Sequence, residues 1–170
     1  MDANQRRAAV AECLAKAGQP VSATALARQF SVSRQIIVGD IALLRAGGLE
    51  VSATPRGYVL PKSYQGLEYR VACLHAAEDM ARELEIIVDN GCTVVDVVVE
   101  HPIYGQLTGL LQMSSRYDVK QFVEKVEAHD ARPLALLTDG VHLHTIRCPD
   151  RNAYQRVLEQ LNEAGILYQA

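Results

Sequence analysis

Residues 22–48 read SATALARQFSVSRQIIVGDIALLRAGG, and this stretch decides the fold of the first third of the chain. Ser22 and Ser33 each precede a helix-compatible run, where a serine hydroxyl can accept a hydrogen bond from the first helical turn. The two caps predict helices over 23–30 and 34–46, and a pair of glycines ends the second. The second helix carries an apolar stripe at one-turn spacing, formed by Ile37, Ile41 and Leu44.

The sequence on either side of this stretch completes a small domain. Residues 4–17 repeat apolar or small side chains at helical spacing and stop at Gly18-Gln19-Pro20, which predicts a first helix. Residues 49–51 and 57–60 are predicted to be two short strands joined through 53–56. Helix, short helix, tight turn, helix and hairpin is the order of a winged helix-turn-helix domain, which we place at residues 1–61 (the head).

The first turn of the third predicted helix carries residues suited to reading DNA. Arg34 can bind a guanine edge, Gln35 an adenine, and Val38 a thymine methyl group, and Ser33 lies beside them. Arg56, at the tip of the predicted hairpin, is placed to reach a phosphate or the minor groove. The alternative is that these residues form a solvated helix face on a protein-interaction module.

Charge is distributed unevenly along the chain, whose net charge is −3. Residues 1–60 carry seven Arg or Lys against four Asp or Glu, hence +3, and the remainder carries ten against sixteen, hence −6. Only a DNA-binding domain has to neutralise phosphates. The pattern favours a basic DNA-binding domain joined to an acidic domain of another kind, although random scatter of charge gives the same balance.

The chain lacks the sequence features of membrane and secreted proteins. No apolar run approaches the roughly 20 residues of a membrane span, and residues 1–19 have no signal-peptide pattern. The cysteines are far apart and form no C-x-x-C pair, so they are interpreted as buried or ordinary thiols: Cys13, Cys73, Cys92 and Cys148. We therefore expect a cytoplasmic protein with no disulfide framework.

From residue 67 onward the pattern changes to strands alternating with helices. Predicted helices cover 77–90, 117–129 and 152–165, and predicted strands cover 68–74, 92–100, 106–114, 133–137 and 141–147, the last two as a hairpin. This order predicts an α+β sandwich, a sheet with helices on one face, over residues 67–170 (the body). Residues 61–66 are polar and turn-rich and are expected to be the linker.

Histidines cluster in the body at positions where a core rarely has them. His142 and His144 are two apart on a predicted strand, so their side chains share a face with Cα atoms about 6–7 Å apart. His75 follows a strand, and Glu83 borders the apolar stripe of the next helix. Three histidines and one glutamate are ordinary ligands of zinc, nickel, iron or manganese. The alternative is that they are satisfied core or surface residues.

A fourth histidine, His101, closes a predicted strand at the tight turn 101–105. Together with Tyr104 it is a candidate for contact with a small-molecule ligand, at the edge of a pocket. The alternative is that His101 caps the turn.

Both domains resemble one known family. Residues 19–22, 26–27, 31–35, 40–45 and 53–58 resemble the helix-turn-helix domain of nicotinate-responsive repressors of NAD biosynthesis, and this domain is also similar to that of biotin-operon repressors. Residues 96–105 and 139–146 resemble the signature of the three-histidine (3H) domain found in the nicotinate-responsive repressors. Gly39 departs from the pattern, because a polar residue is expected there, and it leaves one base contact in doubt.

The resemblance implies functions that composition and residue spacing alone do not predict. It implies nicotinic acid as corepressor and a divalent metal in the body, and it maps the metal site onto His75, Glu83, His142 and His144. With it, we expect a DNA-binding transcription repressor of NAD biosynthesis or niacin uptake genes. The protein would bind double-stranded operator DNA as a homodimer, in which the sheet of the body, dominated by residues 94–99, presents a buried edge or face to its twin.

Two other functions share features with this sequence. A small metal-dependent hydrolase with an accessory helix-turn-helix would use the same histidines, but H-E-x-x-H, G-x-S-x-G and a phosphate-binding glycine loop are absent from the sequence. A biotin-type bifunctional regulator needs a ligase domain that 170 residues cannot accommodate beside the head.

Overall fold

The computed structural model describes residues 1–61 and 66–169, which fall into two compact units divided at Met1–Tyr64 and Gln65–Ala170. The head contains α1 (Ala3–Lys16), α2 (Ala23–Gln29), α3 (Arg34–Ala46), β1 (Ser52–Thr54) and β2 (Gly57–Val59). The body contains β3 (Leu67–Leu74), α4 (Met80–Asp89), β4 (Thr93–His101), β5 (Gly105–Met113), α5 (Arg116–Ala128), β6 (Val141–Cys148) and α6 (Arg151–Glu163), with short 3-10 helices at Ala77–Asp79 and Leu134–Thr138. Most of the expected linker, residues 62–65, lies outside the described residues.

The head helices begin where the sequence places their caps. The hydroxyl of Ser22 accepts a hydrogen bond from the amide of Ala25 at 3.0 Å, and that of Ser33 accepts one from Ile36 at 3.2 Å. Each bond satisfies a backbone amide that has no partner inside its helix. The three helices enclose a core that includes Val10, Leu14, Leu26, Ile37, Ile41 and Val51.

The wing differs from its prediction by a few residues. The first strand begins at Ser52 and not at 49–51, because Val51 is buried in the head core and its carbonyl accepts a hydrogen bond from Arg45 Nε at 2.8 Å. The wing is also tied to the start of α2, since Val21 and Tyr58 exchange backbone hydrogen bonds of 2.9 and 2.8 Å.

The body is one antiparallel sheet of four strands in the order β3-β6-β4-β5. Its core joins sheet residues such as Val71, Val94 and Ile146 to residues of all three helices, including Leu84, Val119 and Val157. The α+β class, with a winged helix-turn-helix followed by a sheet and its covering helices, is therefore confirmed. Within the described residues, no helix is long and apolar enough to cross a membrane.

The prediction of a strand at 133–137 is wrong, because Leu134–Thr138 forms a 3-10 helix. β6 is already hydrogen-bonded to β3 on one side and to β4 on the other, so no edge is left for a further strand to pair with it. Asp139 and Gly140, at φ +53° and +93°, then reverse the chain into β6.

β4 is an inner strand and contains a bulge. It lies between β6 and β5, so of the two expected dimer surfaces, a sheet edge or a sheet face, this strand cannot supply the edge. Val94 pairs with Ile146 whereas Asp96 pairs with Thr145, which leaves Val95 as an extra residue relative to β6. Beyond the bulge, Val97 pairs with His144.

Candidate metal site and nucleic-acid interface

The four residues predicted as metal ligands lie together in the body. His142 and His144 project from β6 on the face that bears Ile146, His75 follows the end of β3, and Glu83 comes from the first turn of α4. The Glu83 carboxylate lies 2.7 Å from His75 Nε2, 2.9 Å from His142 Nε2 and 3.3 Å from His144 Nε2. Three imidazoles therefore surround one carboxylate.

The other nitrogen of each ring is held by the backbone. The Nδ1 atoms of His75, His142 and His144 lie 2.7, 2.8 and 2.7 Å from the carbonyl oxygens of Ala76, Gly140 and Asp96, respectively. A carbonyl oxygen can only accept, so each Nδ1 carries a proton and donates it. In a neutral ring the lone pair is then on Nε2, which is the nitrogen facing Glu83. Backbone carbonyls that accept the Nδ1 proton impose this same arrangement on metal-binding histidines.

Burial makes the charges of this cluster depend on each other. Burial by itself raises the pKa of Glu83, but attraction by His144 and hydrogen bonds with His142 and His75 outweigh it, so the pKa lies well below its ordinary value. Burial likewise lowers the pKa of His144 and of His75, and the Glu83 charge more than reverses that effect. The cluster is therefore built to hold positive charge around a buried carboxylate, either as protons or as a cation.

The residues present fit a divalent metal. Within the described structure, His144 Nε2 is buried and has no hydrogen-bond partner, since its 3.3 Å contact with Glu83 lacks hydrogen-bond geometry. A buried nitrogen with an unused lone pair is costly unless something binds it. Three imidazole nitrogens and a carboxylate oxygen are a donor set that zinc, nickel and iron accept.

Cys73 also faces this cluster, although no pattern in the sequence placed it there. Its sulfur, a Glu83 oxygen and a ring nitrogen of His142 all lie within 4.8 Å of one another. Burial first, and then the charge of Glu83, raises the pKa of the Cys73 thiol. The signal that could have found it is the β3–β6 pairing, in which Cys73 lies directly opposite His142.

His101 and Tyr104 occupy the turn between β4 and β5. The ring nitrogen Nδ1 of His101 accepts hydrogen bonds from the amides of Ile103 and Tyr104, at 3.1 and 3.3 Å, so His101 caps the turn. The rings of His101 and Tyr104 are 5.0 Å apart, and Tyr104 is largely exposed. The contacts described for this pair are within the turn and do not join it to Glu83.

The residues predicted to read DNA lie at the start of α3. Ser33, Arg34 and Gln35 are exposed and Val38 is half-buried, while Ile37 on the opposite side of the helix is in the core. Ile36, an exposed apolar side chain on the same turn, was not among the residues predicted from the sequence. Arg56 lies half-buried in the β1–β2 turn.

Two of the head's basic residues are engaged inside the domain. Arg6 Nε lies 2.6 Å from Asp40 Oδ2, and Arg7 lies 3.6 Å from Asp40 Oδ1. Asp40 is on α3 and is buried. The positive charge counted along the head sequence is therefore only partly available to phosphates.

Comparison with known proteins agrees with this architecture. Residues 6–59 match a family of HTH domains, and residues 68–170 match the 3H domain family. A helix-turn-helix head followed by a 3H body defines the class of the protein as a DNA-binding transcription regulator.

Two relatives resemble the chain over nearly its whole length. It is 44% identical over 163 residues to "Probable transcription repressor NiaR" of Thermotoga maritima, which covers 96% of this chain and 93% of the relative. It is 43% identical over 158 residues to "Transcription repressor NadR" of Bacillus subtilis, which covers 91% of this chain and 88% of the relative. The chain belongs to this family of 3H-domain transcription repressors. Both relatives are named as repressors and neither as an enzyme, so the prediction of a repressor, in place of a hydrolase, is confirmed.

Proposed function

We propose that this chain represses genes of NAD biosynthesis or niacin uptake by binding operator DNA as a homodimer, with nicotinic acid as corepressor and a divalent metal in the body. The proposal of a metal in the body is supported by one observation: three Nε2 atoms converge on buried Glu83, and among the described residues His144 Nε2 has no hydrogen-bond partner. The family and the resemblance to nicotinate-responsive repressors support the choice of genes and corepressor.

Base recognition is assigned to the exposed first turns of α3. Arg34 binds a guanine edge, Gln35 an adenine, and Val38 a thymine methyl group. Ser33 accepts a bond from the amide of Ile36, so its hydroxyl proton remains free to donate to a phosphate oxygen. Arg56 adds a phosphate or minor-groove contact from the wing. One such head reads too few bases to be selective in a genome, which is why two heads and a palindromic operator are proposed.

The metal is assigned to His75, Glu83, His142 and His144, with zinc or nickel ahead of iron and manganese. When bound, the cation would neutralise the charge of Glu83 and accept the lone pairs of the three Nε2 atoms. The carbonyls of Ala76, Gly140 and Asp96 keep each ring oriented for the metal.

Nicotinic acid is assigned to the region of His101 and Tyr104, because the exposed Tyr104 ring offers an aromatic surface for a pyridine ring.

The proposal is tested by fluorescence anisotropy with the full chain and DNA from upstream of NAD biosynthesis and niacin uptake genes. We expect one fragment to bind tightly, nicotinic acid to tighten it, and chelation to abolish the response. His144→Ala should lose stoichiometric metal, whereas the control His129→Ala should keep it, because His129 is exposed and its ring hydrogen-bonds to the carbonyl of Lys125 in its own helix. Equal affinity for all fragments, with and without nicotinic acid, would refute the proposal.

A further inference from the structure

Cys73 lies beside the cluster of histidines and Glu83, although it is not one of the four predicted metal ligands. It lies on β3 directly opposite His142 on β6, so both side chains project towards α4 on the covered face of the sheet. The thiol is fully buried, and its sulfur lies within 4.8 Å of a Glu83 oxygen and a His142 nitrogen. A thiol needed only for packing would be expected against apolar neighbours, whereas this one is beside the carboxylate that three imidazoles surround.

We propose that Cys73 is an additional ligand of the body metal, and that its sulfur makes the site selective for cations of the zinc class. This inference rests on the proposed function, because it assumes that the cluster binds a metal. Thiolate sulfur favours Zn²⁺, Co²⁺ and Cd²⁺ over Mn²⁺, whereas carboxylate oxygen and imidazole nitrogen discriminate less between them. Coordination converts the S–H group into a sulfur–metal bond, and the thiol proton leaves to solvent.

A second observation points to a cation at the same place. His144 Nε2 is buried, 3.3 Å from Glu83, and within the described residues it has no hydrogen-bond partner. The cluster therefore offers a metal ion one unpartnered ring nitrogen in addition to the sulfur, and both atoms lie near the Glu83 carboxylate. A proton on this nitrogen would have no acceptor in hydrogen-bond geometry, whereas a metal ion could bind both the nitrogen and the sulfur.

The proposal is tested with the full chain, stripped by chelation, reduced, and titrated with Co²⁺. A thiolate bound to Co²⁺ gives an intense near-ultraviolet charge-transfer absorption that nitrogen and oxygen ligands do not give. We expect this absorption in the wild type and in the control Cys13→Ala, which removes a thiol from the head. Cys73→Ala should bind one Co²⁺ without it. Its affinity for Zn²⁺ should fall by about tenfold or more, while its affinity for Mn²⁺ changes little.

The two proposals fail in different ways. Stoichiometric Co²⁺ without charge-transfer absorption in the wild type would overturn the role of Cys73 and leave the metal site standing. Absence of bound Co²⁺, Zn²⁺ and Ni²⁺ from the wild type would overturn both. If Cys73→Ala does not fold, Cys73→Ser can replace it, because serine is close to cysteine in size. A Cys73→Ser protein that binds Co²⁺ without the charge-transfer absorption would support Cys73 as a ligand. An absorption that persists in either variant would contradict that role.

Discussion

Gly140 and His75 approach so closely that no side chain fits between them: a Cβ atom on Gly140 would lie 2.6 Å from the carbonyl oxygen of His75. Gly140 has φ +93°, a conformation that side chains rarely adopt, and its own carbonyl accepts the Nδ1 proton of His142. This glycine therefore sets the separation between the two segments that carry His75 and His142.

We predict that Gly140→Ala destabilises the body by about 2–5 kcal/mol and weakens metal binding, because it adds a steric overlap to the left-handed backbone. Gly165→Ala is the matched control, since Gly165 has φ +71° but open space where a Cβ would be. It should cost about 1–2 kcal/mol and leave metal content unchanged. Denaturant unfolding and elemental analysis of both variants measure this, and equal losses in the two would contradict it.

The pH dependence of stability should change direction when the metal is removed. Glu83 has a lowered pKa, so its contribution is present above its unfolded value of 4.5 and is lost as pH falls through the folded value. His75 and His144 have raised pKa values, so their contribution is present below 6.5 and is lost as pH rises through the folded values.

The metal-free body should therefore be most stable between these two unfolded pKa values, 4.5 and 6.5. The metal-bound body should instead gain stability as pH rises, since a metal needs deprotonated imidazoles. Thermal unfolding from pH 4 to 9, with zinc and with chelator, measures both profiles. Parallel profiles under the two conditions would show that the cluster does not bind zinc.

Arg34→Ala should weaken operator binding by about 1–3 kcal/mol and relax the preference at one base pair. Lys16→Ala is the control, because Lys16 is exposed and paired with Glu12 on α1, and its removal lowers the charge of the head equally. Anisotropy with the operator and with single-base variants separates the two effects. If both substitutions weaken binding to all sequences alike, Arg34 contacts only phosphate.

Asp40→Asn should destabilise the head, because it leaves Arg6 without its charged partner 2.6 Å away. Removal of one partner of a fully buried ion pair costs about 3–5 kcal/mol; we expect about 2–3 kcal/mol here, because Arg6 keeps some contact with water. Glu12→Gln breaks an exposed pair and should cost less than about 1 kcal/mol. Chemical denaturation of the two variants tests the contrast, and equal costs would mean that Asp40 is not a buried partner in solution.

Nicotinic acid and operator should each strengthen the binding of the other by the same factor. A corepressor acts by binding better to the DNA-competent state, and typical coupling is about 1–3 kcal/mol. Titrating nicotinic acid with and without saturating operator measures this factor, and sedimentation of the free protein measures its oligomeric state. A monomer whose nicotinic acid affinity is unchanged by operator would rule out the allosteric dimer.

Local signals in the sequence were sufficient for much of the fold. Ser22 and Ser33 determine where two helices begin, and the spacing of His142 and His144 puts both rings on one face whatever the strand pairs with. Two of the failures involve partners that are distant in the sequence. Residues 133–137 have the composition of a strand but no free edge to pair with, and Cys73 reaches the cluster only through the β3–β6 register.

The bulge at Val95 makes the number of residues in β4 as important as their identity. Val94 and Val97 face the helices on either side of the bulge, although they are three residues apart and regular alternation would put them on opposite faces. Removing one residue there would restore alternation and invert one half of the strand, so that the Asp96 carbonyl no longer met His144 Nδ1. Substitution at Val95 alters only packing, whereas deletion alters which side chains and carbonyls the cluster receives.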